Sequence, residues 1–241
     1  MVKYSMNLEN LITQYYPSEA AIEVVHTTKI VLLVGISGAG KDTIKHQLLK
    51  SPDYSDIISH TTRTPRMNNG VMETPDVDYH FVQEDEAIRM LENHEFIEAK
   101  FVHGTVYGTS VAEVAKAREN NQIAITDIDV QGVDEYKELS QNVIAIFILP
   151  PSYDEWRRRL AARYQTPEEF EAEWPKRRAS AITELTHALE VPYYHVIIND
   201  DLDTAVTAAG KIAHKPDIYT RKDDEARLAA RDLLESIVAH N

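Results

Sequence analysis

Apolar residues gather in four short runs, and between them they recur three and four positions apart. The runs occupy residues 30–34 (IVLLV), 123–130 (IAITDIDV), 143–149 (VIAIFIL) and 195–200 (HVIIND). Each is too short for a buried helix and apolar on both faces, which predicts strands of a parallel sheet covered on both sides. Pro150 and Pro151 stop the third. Helical spacing in residues 110–119 and 153–162 completes a β-α alternation, so the expected class is α/β. After Pro216, Ala226, Ala230, Leu233, Leu234, Ile237 and Val238 form one helical stripe, predicting an amphipathic C-terminal helix. Residues 1–28 have only weak helical periodicity. Two stretches break the rhythm: residues 59–109 are polar, turn-rich and dotted with Arg and Tyr, as in an inserted subdomain, and residues 163–177 are charged and contain prolines, as in a mobile lid.

Composition narrows the ligands. With 241 residues and 43% hydrophobic content the chain can bury one sizeable core, so one main domain is expected. A formal net charge of -14 repels phosphate polymers and anionic membranes, so any anionic ligand needs a local basic pocket. Zero cysteines exclude disulfides and thiolate metal sites and suit a reducing cytosol. No run approaches the length of a membrane span, and the start lacks a signal-peptide core, so a cytoplasmic protein without nucleic-acid or membrane partners is expected.

The first run leads into "GISGAGKDTI", residues 35–44, where Gly35, Gly40 and Lys41 have the spacing of a phosphate-binding loop. Backbone NH groups of Gly35, Ser37, Gly38, Ala39 and Gly40, continued by Lys41, Asp42 and Thr43 at a helix start, would cradle nucleotide phosphates. Asp42 stands where the pattern expects the Ser or Thr that reaches magnesium; it could cap the helix, but as a hard-oxygen donor it is read as a metal or metal-water ligand. In "SHTTRTPR", Arg63 and Arg66 sit beside Ser59 and further hydroxyls, a composition suited to a second phosphate. Tyr79, Glu98, Tyr107 and Thr109 follow in the same insert. Asp127 and Asp129 end a strand on one face, placed to organise magnesium and its waters. Alone, the tyrosines would be packing residues, Glu98 a solvated position and either aspartate a structural hydrogen-bonding group.

Taken in order, "GISGAGKDTI", "SHTTRTPR", "DYHFV", "EFIEAKFVHGTVYGTS", "TDIDVQGV", "ILPPS" and "VIINDDLD" strongly resemble the guanylate kinase family over about residues 29–212. The resemblance implies a P-loop three-layer α/β sandwich with a parallel sheet core, a GMP-binding insert at about 59–109, a lid at about 163–177, and extensions at 1–28 and 213–241 outside it. It implies ATP-dependent phosphorylation of GMP and dGMP with Mg2+. Ser59, Arg63, Arg66, Tyr79 and Tyr107 would grip the GMP phosphate, Glu98 and Thr109 would read the base, and Asp127 and Asp129 would serve the guanine site and the metal. Arg159, Arg163 and Arg177 would close over the phosphates, and Asn199 would lie near the adenine of ATP. The chemistry agrees, because guanine presents N1–H and its 2-amino group as adjacent donors to one carboxylate, and Thr109 can donate to the 6-carbonyl. Charge stabilisation by Lys41, Arg63, Arg159, Arg163 and Arg177 would carry the transfer, with no general base, since the GMP phosphate is already anionic.

The chain departs from the family pattern at Asp42, at Tyr164, where a glycine usually follows Arg163, and in a longer lid. The "GKD" loop also resembles ribose bisphosphate phosphokinases, against which stand Glu98, Thr109 and the full "TTRTPR". Other nucleoside monophosphate kinases, and a non-catalytic guanylate-kinase-like binding module, are further alternatives; Lys41 and the lid arginines argue against the module. Monomer and homodimer stay open.

Overall fold

The computed structural model describes residues 2–68, 71–217 and 221–240. In chain order it contains α1 (Val2–Thr13), α2 (Glu19–Thr27), β1 (Ile30–Val34), α3 (Lys41–Leu48), β2 (Tyr54–Asp56), β3 (His60–Thr61), β4 (Met67–Asn68), β5 (Val71–Met72), β6 (His80–Phe81), α4 (Glu84–Glu92), β7 (Phe96–Val102) and β8 (Thr105–Ser110). Then come α5 (Val111–Glu119), β9 (Ile123–Asp127), α6 (Val130–Leu139), β10 (Ile144–Leu149), α7 (Tyr153–Ala161), α8 (Pro167–Glu190), β11 (Tyr194–Ile198), α9 (Leu202–His214) and α10 (Arg221–Ala239). Two compact units emerge: one of Met1–Ile30, Asp53–Thr126 and Asp134–Val143, the other of Val31–Pro52, Asp127–Val133 and Ile144–Asn241.

The second unit contains the parallel strands predicted by three of the four apolar runs, β1, β10 and β11. β10 pairs with β1 on one side (Leu33↔Ile146) and with β11 on the other (Phe147↔Val196). Every residue of β1 and β10 is buried, which is why these runs are apolar without alternation. α10 packs against α8, β11 and α7, and buries Ala226, Ala230, Leu233 and Ile237; Val238, placed by periodicity on the same stripe, is exposed.

The first unit holds a four-stranded sheet in the order β6-β3-β8-β7, and a parallel pair in which β2 runs beside β9 (Ser55↔Ala124). Its core joins Leu8, Ala87, Met90, Leu91, Phe96 and Val106. Leu8 comes from α1, so the weakly periodic N-terminus forms helices that bury a residue in this core.

Three expectations change. The run at residues 123–130 stops being a strand at Asp127, because Asp129 turns the chain: its Oδ1 accepts from Gly132 NH at 2.7 Å and Val130 opens α6. The last strand is Tyr194–Ile198 and leaves Asn199 and Asp200 beyond its end. Residues 167–177, read as part of a charged break in the rhythm, form the first half of a 24-residue helix. Thr166 caps that helix by accepting from Glu169 NH, and Pro167 occupies its first turn, where a missing NH costs nothing. Phe170 and Trp174 are buried there, with the Trp174 ring 5.2 Å from Trp156, and this packing carries the helix through Pro175.

Candidate functional site

In the second unit, β1 delivers the chain into the phosphate loop and α3 leaves it. Gly40 has φ +99°, and a side chain there would drive a Cβ to 2.3 Å from Asn199 Nδ2. Glycine is required both by that conformation and by the approach of Asn199, whose amide donates to Ala39 O at 2.8 Å. Buried Asn199 therefore braces the loop from the end of β11. Trp156 does the same from α7, with Nε1 donating to Ser37 O at 2.8 Å.

The loop opens on a cleft of about 680 Å³ lined by Gly35, Ser37, Gly38, Gly40, Lys41, Asp42, Thr43, Asp127, Asp129, Arg159, Arg163, Glu184 and Asn199 among others. Every loop residue expected at the phosphates lines it except Ala39, which is buried. Lys41 Nζ donates to Gly35 O. Arg159 is aimed by Glu155 (2.7 Å) and donates to Asn199 O at 3.1 Å. Arg163 donates to Ser37 Oγ at 2.9 Å and lies 3.6 Å from Asp42 Oδ2. The unusual loop aspartate thus faces an arginine across the cleft. Arg177 is held by Tyr164, whose hydroxyl accepts from its Nε at 3.0 Å, so the residue standing in place of the usual glycine has an arginine to hold.

The carboxylates of the cleft differ. Asp127 pairs with Lys45 at 2.9 Å; burial works against its charge, but Lys45 prevails and holds the carboxyl below its ordinary value. Glu184 was not anticipated. Burial, reinforced by Asp129, pushes its carboxyl up to about 7 despite Lys41 and Arg177. Its only trace in the sequence is a position seven after Arg177, on the same face of α8.

The first unit collects the residues expected at the monophosphate and the base. Arg63 is clamped by Glu73, its Nη2 donating to Oε1 at 2.8 Å and its Nη1 to Oε2, and its Nε donates to Tyr107 Oη at 3.0 Å. Its guanidinium lies 4.8 Å from the Tyr79 ring centre, and the Tyr79 and Tyr107 rings meet edge to face at 6.0 Å. Arg66 joins Glu73 both through its backbone NH at 3.0 Å and through its side chain, whose Nε lies 3.5 Å from Oε1, although that side chain stays 66% exposed. Glu73, with a 6% exposed side chain, organises both arginines, and its hydrogen bonds from Arg63 hold its carboxyl below the ordinary value. Ser59 lies just before β3, partly buried, and its carbonyl accepts from His80 NH at 2.9 Å.

The base pair of residues is set by strand register. Glu98 on β7 stands directly opposite Thr109 on β8, and Lys100 opposite Tyr107, so base and phosphate residues share one face of a hairpin. Gly108 lies between Tyr107 and Thr109, and a Cβ there would come within 2.8 Å of Glu98 O and Phe96 Cδ1; only glycine lets β7 approach so closely. A bulge between Phe96 and Glu98 shifts the register, burying Phe96 and Ile97 in succession. Tyr15, from the N-terminal extension, repairs the ladder there: its hydroxyl accepts from Phe96 NH at 3.0 Å and donates to Phe96 O. Burial pushes that phenol up to about 12.

Comparison with known proteins agrees. The guanylate kinase family model matches residues 27–215. Guanylate kinase from Escherichia coli K12 is 39% identical over 174 residues, covering 71% of this chain and 80% of that protein. The enzyme of Shewanella sp. MR-7 is 39% identical over 172 residues, with 70% and 79% covered. Guanylate kinase 1 of rice is 34% identical over 199 residues, 81% of this chain, which spans only 50% of the rice protein. The crystal structure of guanylate kinase from Anaplasma phagocytophilum superposes with a TM-score of 0.58 at 27% identity, covering 88% of this chain and 97% of that one. A phosphate loop with its basic cleft, an arginine-tyrosine cluster and a cross-strand Glu-Thr pair, in a chain that the family model matches over most of its length, identify a member of the guanylate kinase family.

Proposed function

We propose that this chain transfers the terminal phosphoryl group of ATP to GMP and dGMP, with the loop cleft taking ATP and the first unit's hairpin face taking the monophosphate. The observation that carries the choice of acceptor is the register that sets Glu98 opposite Thr109. Guanine pairs its N1–H and 2-amino donors with Glu98 and its carbonyl with Thr109; adenine leaves the carboxylate without donors and is rejected. Arg63, already planar and fixed by Glu73, presents its charge beside Tyr79 and Tyr107 to the GMP phosphate, and Arg66 and Ser59 close on the same group.

In the reaction an oxygen of the GMP phosphate attacks the γ-phosphorus, the bond to the β-phosphate oxygen breaks, and ADP leaves with the electron pair. Lys41, Arg159 and Arg163 stabilise the charge spread over the transferring oxygens. Arg177 and the start of α8 act as the closing element that excludes water.

The carboxylates fit Mg2+ carried in on ATP. Such an ion keeps waters and phosphate oxygens in most of its positions and asks one or two carboxylates of the protein. Among the described residues no cluster of three or more acidic or His side chains forms a self-sufficient metal site, which agrees with that mode. Asp42, Asp127 and exposed Asp129 all line the cleft and would hold the ion directly or through its waters. Bound there, the ion would neutralise phosphate charge.

The acceptors are small molecules, and the compartment these substrates imply is the cytoplasm. No helix among the described residues is long and apolar enough to cross a membrane. The sugar-phosphate and non-catalytic readings gain no support from the comparisons. A coupled assay of ADP release with GMP, dGMP, AMP, UMP and ribose bisphosphate is expected to show turnover with the two guanine nucleotides alone; GMP binding without turnover would overturn the reading in favour of a binding module.

A further inference from the structure

His80, on β6, directly follows Tyr79, and both of its ring nitrogens face carboxylates. Nδ1 lies 2.7 Å from Asp76 Oδ1, and Nε2 lies 3.2 Å from Glu113 Oε1. A carboxylate only accepts, so a ring carrying a proton on each nitrogen makes both bonds at once. The His60 ring packs beside it, with ring centres 4.6 Å apart. The two carboxylates come from different parts of the first unit. Asp76 stands in the turn before β6 with φ +62°, a left-handed conformation uncommon outside glycine, and its NH donates to Tyr79 O at 3.0 Å. Glu113 lies in the first turn of α5, and its Oε2 accepts from Ile58 NH at 3.1 Å. The backbone closes the circuit, because His80 NH donates to Ser59 O at 2.9 Å. One imidazole therefore ties the turn that delivers Tyr79 to the segment that delivers Ser59.

Resting on the reading of Tyr79 and Ser59 as contacts of the GMP phosphate, we propose that His80 is a positioning residue for that phosphate, its bonds to Asp76 and Glu113 fixing where the two hydroxyls stand. The strands beside those hydroxyls, β3 and β6, have two residues each, so their ladder alone is a weak anchor. A hydrogen bond to phosphate weakens steeply once its hydroxyl is displaced or turned. A side-chain link across both segments removes that freedom before the nucleotide arrives. His80 acts through its neighbours and needs no contact with the phosphate itself.

The test sets GMP against guanosine, which presents the same base without the phosphate and is read by its inhibition constant. In His80→Phe a ring is kept, Asp76 is exposed to water and Glu113 retains Ile58 NH, so thermal stability and kcat at saturating GMP are expected to stay near the parent values. The KM for GMP is expected to rise about fivefold to tenfold, with the guanosine constant unchanged. His80→Gln, which returns a donor towards Glu113, is expected to recover part of that loss; a glutamine no better than phenylalanine would overturn the proposal. Equal losses for GMP and guanosine would mark His80 as merely structural and overturn it, as would an unchanged KM for GMP. Asp76→Gly keeps the question open should the first variant fold poorly, since glycine accepts the left-handed turn while one carboxylate is lost. It is expected to raise the KM for GMP about threefold and leave guanosine alone, and no rise would overturn the role. Tyr79→Phe separates the two levels: if it weakens GMP relative to guanosine and His80→Phe does not, the positioning role alone fails; if it does not, the phosphate reading fails and takes the role with it.

Discussion

Arg63 and Arg163 are both arginines expected on phosphate, and the two units hold them by opposite means. In the first unit Arg63 is locked in a bidentate pair with a nearly buried glutamate, flanked by two tyrosines. In the second, Arg163 is 44% exposed and leans on Ser37 and on Asp42, itself 59% exposed. Lys41 likewise rests on a backbone carbonyl, which a nucleotide phosphate can replace, while Arg159 pairs with Glu155 and also donates to a backbone carbonyl. The side proposed for the monophosphate holds Arg63 in a nearly buried ion pair, whereas the loop side leaves Lys41 and Arg163 on contacts a phosphate can exchange. A fixed charge favours selection of one acceptor; exchangeable ones suit a group whose charge moves during the reaction.

The comparison breaks most sharply at Lys41. Lys41→Ala is expected to lower kcat about a thousandfold while GMP binding, followed by calorimetry, stays intact; a loss of GMP affinity of similar size would merge the two sides. Next comes Arg63→Met, which leaves Glu73 buried without its partner and is expected to cost about 3 kcal/mol in urea unfolding. The matching Arg163→Met is expected to cost less than about 0.5 kcal/mol, since its partners are solvated. Because Arg63 holds the Glu73 carboxyl below its ordinary 4.5, the pair's contribution is complete above pH 4.5 and fades as the pH falls through the native value.

Glu184 gives a smaller effect of opposite sign. Its raised carboxyl favours the protonated folded state, so it costs nothing below pH 4.5, and destabilises as the pH rises from 4.5 towards and beyond about 7. Glu184→Gln is expected to stabilise the protein by about 2 kcal/mol at pH 8, allowing for its partial burial, and by nothing at pH 4.5, as thermal melts at the two values would show. The smallest change is expected from Asp42→Ser. Replacing one side of an exposed pair should leave kcat/KM for ATP within about threefold; a collapse would assign Asp42 an indispensable part at the metal.

The buried strands and the loop could be read in advance because their signals are local: unbroken apolar runs for β1 and β10, and glycine spacing for the turn into α3. Glu98 and Thr109 were named from motif resemblance, and the β7–β8 register sets them opposite each other. Glu73 could not be found in this way. It is an ordinary acidic residue until the chain folds back so that its NH donates to Arg66 O at 3.1 Å and its carboxylate meets Arg63. The first half of α8 was misread for a related reason: Pro167 and Pro175 marked a break, whereas the burial of Phe170 and Trp174 beside Trp156 depends on a distant segment and overrides local propensity. Glu184 was hidden by its residue type, since glutamate on a helix is solvated far more often than enclosed.

Tyr15 sits outside the region that the family model matches, yet its hydroxyl splints β7 two residues before Glu98. The guanine contact proposed for Glu98 therefore leans on an appendage outside the shared family region. A version trimmed to the common boundaries would keep its phosphate machinery while its grip on the nucleobase slackened.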